Sequence, residues 1–90
     1  MPKNMVVGGY EHHDMSRSEY RPIILEQAEA LANTNRPEDW RITAKYYGAI
    51  GMLKEMDQCI HKYVKKEPEL GADLIYVGEQ IHRFYKGKKR

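Results

Sequence analysis

Between Pro37 and Lys65 the apolar residues Ile42, Tyr46, Ala49, Leu53, Met56, Ile60 and Tyr63 recur at alternating steps of four and three. A strand would scatter this set over both its faces, whereas an α-helix lines it up as one stripe. The spacing therefore predicts a single long helix over 37–65 that buries a heptad seam against other helices. Pro37 suits the first helical turn, and Glu38 and Asp39 sit at the positive end of the dipole. Lys62, Lys65 and Lys66 suit the negative end. At about 1.5 Å per residue the helix would span roughly 40 Å. Pro68 forbids its continuation, because the residue before a proline is pushed out of the helical region.

The rest of the chain reads as packing on this helix. A first helix is expected over about 18–33: Ser16 and Ser18 are good caps, Pro22 is tolerated only in the first turn, and Asn33-Thr34-Asn35 stops it. A third is expected over about 68–86, with the seam Leu70, Leu74, Val77, Ile81 and Phe84, stopped by Gly87. Helices two and three would then form an antiparallel hairpin. Tyr63 faces Leu70, Ile60 faces Leu74, Met56 faces Val77, Leu53 faces Ile81 and Ala49 faces Phe84. The first helix would cover the remainder, setting Ala28 against Ile42 and Ile24 against Tyr46. The predicted fold is all-α: a single three-helix domain over 18–87, with a flexible or extended arm over 1–17 and a basic tail over 88–90. Met5, Val6 and Val7 could add a short strand to a partner.

Fifteen basic and thirteen acidic residues leave a net charge of +2, too little to imply a polyanionic partner by itself. Cys59 is the only cysteine, so no internal disulfide forms and a reducing compartment is favoured. No run approaches the roughly 20 apolar residues that cross a bilayer, and no basic-then-apolar leader opens the chain. The expectation is an intracellular, cytoplasmic protein without a membrane partner.

Catalytic constellations are sparse. His12, His13 and Asp14 form a tempting metal or acid–base cluster, but His61 and His82 fall about three helical turns apart in the expected register and cannot complete it. Cys59 sits beside the seam as an inert thiol with no base placed to activate it. Gly8-Gly9 does not join a strand to a helix as a phosphate loop would. The residues thus predict a non-catalytic protein with no cofactor, no metal and no small-molecule substrate.

Two surfaces are candidates for binding. Trp40, Tyr47 and Ile50 lie off the seam beside the small residues Gly48 and Gly51, and an uncovered aromatic face of this kind suits a protein partner. The leading expectation is a small helical interaction protein, either a homo-oligomer or an accessory subunit docked on a larger assembly. The alternative is nucleic-acid binding through Arg83, Tyr85, Lys86, Lys88, Lys89 and Arg90, where basic residues interleave with an aromatic ring.

Overall fold

Gly51 decides the architecture. Its φ of +81° lies in the left-handed region, the only positive value among the described residues. The Gly51 N–H donates to Gly48 O at 3.2 Å and the Met52 N–H to Tyr47 O at 2.9 Å. Together these two bonds make the Schellman closure, which satisfies the last carbonyls of a helix and stops it. The expected long helix is thereby two helices, and the second turns back on the first. Lys62 Nζ stands 4.3 Å above the Trp40 ring and the Arg41 guanidinium carbon 5.6 Å above the Tyr63 ring. In an unbroken helix the 22 residues from Trp40 to Lys62 would span about 33 Å.

The computed structural model describes the backbone of residues 4–7 and 10–88 and the side chains of 11–87. It is mostly helical, with four helices and one small ribbon. Strands β1 (Asn4–Val7) and β2 (Tyr10–His13) pair antiparallel, Asn4 opposite His13 and Val7 opposite Tyr10. Helices α1 (Arg21–Ala32), α2 (Pro37–Ala49), α3 (Leu53–Lys66) and α4 (Ala72–Lys88) follow. Pro22 lies in the first turn of α1 and Pro37 in that of α2, where a missing N–H costs nothing. Pro68 does not open the last helix: residues 68–70 form a turn, and α4 starts after Gly71.

The break resets the helical phase. Helix α2 buries Trp40, Thr43, Ala44, Tyr47 and Gly48, while α3 buries Met56, Cys59 and Tyr63. Each is a sound helical stripe, but the two do not continue one another. Ile42 and Tyr46, expected beneath the first helix, are exposed at 41% and 37%. Leu70, expected opposite Tyr63, is exposed as well. The core joins Ala28 of α1, these α2 and α3 stripes, Ile50, and Leu74 and Ile81 of α4.

Close approach of α4 rests on small residues. A Cβ on Gly48 would lie 2.7 Å from Ile81 Cδ1 and 2.9 Å from Met56 Sδ, and one on Gly78 would lie 2.6 Å from Ile60 Cδ1. Across the surface Arg41 makes a bidentate pair with Asp73, Nη1 to Oδ1 at 3.1 Å and Nη2 to Oδ2. His82 Nε2 meets Asp57 Oδ1 and Oδ2 at 2.9 Å, an exposed pair between α3 and α4.

Candidate functional site

The end of α2 leaves the Ala49 carbonyl outside the helix ladder, and two remote parts of the chain use it. The Met15 N–H donates to it at 2.8 Å and the Tyr85 hydroxyl at 3.2 Å. Tyr85 belongs to the penultimate turn of α4 and Met15 follows the ribbon, so one acceptor ties both to the centre of the fold. The Tyr85 hydroxyl also donates to Asp14 Oδ1 at 3.1 Å and lies 3.2 Å from His12 Nε2. A phenol carries one proton. It is shared between Asp14 and Ala49, and the network closes when His12 carries its own proton on Nε2 and donates to the phenol oxygen.

His12 is 2% exposed and sits among aromatic rings. Its ring centroid lies 4.6 Å from Phe84 and 5.3 Å from Tyr85, and the latter pair meets edge to face. Asp14 Oδ1 also accepts the Ser16 N–H at 3.0 Å and the Ser16 hydroxyl at 2.6 Å, an Asx turn that fixes the path from ribbon to α1. His13 points outward, with its Nε2 3.8 Å from Glu11. Among the described residues no three His, Cys, Asp or Glu side chains gather as a metal set. The structure brings His12 and Asp14 together through Tyr85, a residue expected on the basic surface of the last helix.

Beside this network opens a cleft of about 730 Å³ lined by Ser16, Arg17, Arg21, Ile50, Gly51, Leu53 and Tyr85. Arg17 is exposed and Arg21 half-buried. Among the described residues neither takes part in an ion pair. The Ser16 and Tyr85 hydroxyl protons are committed to Asp14 and Ala49, so two guanidinium groups are the free charged donors of the cleft. The apolar lining is the half-buried Leu53 and Tyr85, whose Cε1 would stand 3.6 Å from a Cβ on Gly51, with Ile50 buried behind them. Sequence reading missed Arg17 and Arg21. The available signal was Arg17-Ser18-Glu19-Tyr20-Arg21, two cations and an aromatic within one turn.

The expected protein-contact face is core. Trp40, Tyr47 and Ile50 are 7%, 6% and 1% exposed, and Gly48 is buried beneath Ile81 and Met56. Trp40 Nε1 donates to Thr34 O at 2.9 Å, and the Lys62 ammonium covers its ring. What remains accessible is a pocket of about 220 Å³ at the edge of Trp40, Tyr47 and Cys59. The side chains fold inward because the α2–α3 reversal wraps them, a consequence of Gly51 ending the helix instead of decorating its face. Burial pushes the Cys59 thiol above its ordinary value; Lys62 opposes the shift and Glu55 adds to it. Burial also raises Tyr47.

Of the basic set, Arg83 and Lys86 are exposed on α4, and Tyr85 lines the cleft. Lys88 ends α4, and Lys89 and Arg90 lie outside the described residues, as do Met1, Pro2, Lys3, Gly8 and Gly9. The last turns of α4 therefore reach the end of the molecule where Arg17 and Arg21 stand. No helix is long and apolar enough to cross a membrane among the described residues. Comparison with protein-family models, with curated proteins and with solved structures returns no match.

Proposed function

We propose that this chain is a non-catalytic nucleic-acid-binding protein that holds a phosphate backbone at the end formed by Arg17, Arg21 and the last turns of α4. One observation carries the reading: Arg17 and Arg21, unpaired among the described residues, line the same cleft as Tyr85. Arg83 and Lys86 are exposed on α4, and Lys88, Lys89 and Arg90 follow them in the sequence, so the low net charge of the chain conceals a local asymmetry. Guanidinium groups match phosphate oxygens in a planar fork. Fluorescence anisotropy on labelled oligonucleotides tests it. Affinity should fall with rising salt, and removal of residues 86–90 should flatten that dependence by about 0.7 per lost single-strand phosphate contact. Absence of binding at low salt refutes the reading.

A second reading keeps the protein-partner expectation but moves its surface. Ile42 and Tyr46 share one exposed stripe of α2, and pairing that stripe with a second copy or with a larger assembly would cover it. Sedimentation equilibrium checks it: a strict monomer at high concentration removes the homo-oligomer, and a Tyr46→Lys variant should lower the mass of any assembly. The antiparallel run of α4 against α3 belongs with these proposals, supported by the approaches of Gly71 to Val64 and Gly78 to Ile60.

A further inference from the structure

We infer that the cleft seats one unpaired nucleotide of a single strand, its phosphate between Arg17 and Arg21 and its base against the apolar wall, so that the protein selects single strands over duplex. This rests on the nucleic-acid reading above and specifies its ligand.

The composition of the cleft argues for it. A site for phosphate alone needs little more than donors at one point. Here two arginines line part of a cleft of about 730 Å³, and its accessible apolar lining is the half-buried Leu53 and Tyr85 beside Gly51, with Ile50 buried behind them. That division matches a nucleotide, with a charged end and a flat apolar end. Within a duplex the base faces are stacked and its edges paired, so only phosphate and sugar could reach in, and the apolar wall would stay unused.

The network behind Tyr85 adds a second point. Its hydroxyl is held by Asp14, Ala49 and His12, so the phenol offers the cleft a ring and no polar tip. Ser16 likewise spends its proton on Asp14. With both arginines engaged by the phosphate, no described side chain lining the cleft has a donor left to read base edges, so contact with the base is by its face, which every base possesses. Binding should thus tolerate sequence. Because the ring is fixed from behind before any ligand arrives, no ordering of that side chain is needed on binding.

The experiment uses the full chain and labelled twelve-residue strands: oligo-dT, oligo-U, a mixed-sequence single strand and its duplex, with thymidine monophosphate as competitor. Single strands of all three kinds should bind at least about tenfold more tightly than the duplex. The paired substitution Arg17→Gln and Arg21→Gln should remove most of that affinity, with unchanged helical circular dichroism. Lys66→Gln serves as a charge control, since Lys66 lies about 20 Å along α3 from its cleft end, and should leave binding as it was. Duplex binding as tight as single-strand binding overturns this inference while leaving the nucleic-acid reading intact. Failure of every strand to bind overturns both. Single-strand binding that survives loss of both arginines overturns the assignment to the cleft, and competition by the monophosphate at parity with the strand overturns the strand in favour of a free nucleotide.

Discussion

Replacing Gly51 with alanine separates two architectures by the sign of one number. In a continuous helix over 37–65, Gly51→Ala would stabilise the protein by about 1 kcal/mol, the difference in helix propensity. In the structure the residue is left-handed, φ +81°, and an L side chain there meets its own carbonyl at a cost of about 1–2 kcal/mol. Space is not the obstacle: a Cβ would stand 3.5 Å from Ser16 Cβ and 3.6 Å from Tyr85 Cε1, ordinary contact distances. The conformational term therefore decides, and the expected change is a loss of about 1–2 kcal/mol. For a domain of this size each kcal/mol lowers the melting temperature by about 4–8 °C. Urea unfolding followed at 222 nm measures it, with Gly51→Asn as companion. Asparagine tolerates the left-handed region and should lose less than alanine despite its larger side chain. A gain in stability for Gly51→Ala, or a greater loss for asparagine than for alanine, would refute the reversal at this residue.

Tyr85→Phe keeps the ring and removes the hydroxyl, leaving His12, Asp14 and the Ala49 carbonyl each short of a partner. A loss of about 1–3 kcal/mol is expected in the same urea assay, with faster amide exchange at Met15, which shares the Ala49 acceptor. Cys59 gives a pH dependence. Its folded-state pKa lies above the ordinary 9.0, so the stability it contributes is full below that value and is lost as pH rises through the higher folded value. Unfolding measured at neutral and alkaline pH should show a decline, and Cys59→Ala should reduce its slope.

Much of the helical content could be read from residue spacing, and part of the packing could not. Pro37 and the stop near Lys66 set two boundaries within a residue or so, since a missing N–H and a proline two residues on are local constraints. The stripe Met56–Tyr63 was likewise legible as core. What failed was phase. The alternation of four and three steps continues across Ala49 and Leu53, and a period cannot reveal that the backbone between them reverses. Gly51 was the available clue, but a glycine within an apolar run reads equally as a close-packing site or as a helix stop. Once the reversal is placed, Ile42 and Tyr46 rotate outward and Trp40 and Tyr47 inward, which inverted the expected contact face. The ribbon was missed for a related reason. Each strand is four residues, too short for alternation to register, although Gly8-Gly9 between Val7 and Tyr10 is a hairpin spacing. The cleft depends on Arg17, Arg21, Gly51 and Tyr85, whose convergence from three parts of the sequence no local pattern encodes.

The Ala49 carbonyl couples two parts of the chain that are 70 residues apart in sequence. Met15 reaches it from the ribbon side and Tyr85 from the last helix, so the segment after the ribbon and α4 are clasped at a single interior atom. Loosening one of them then withdraws half the clasp from the other, and the two should be released as one cooperative unit. Removing the hydrogen bond from Met15 would accordingly be felt at Tyr85 on α4.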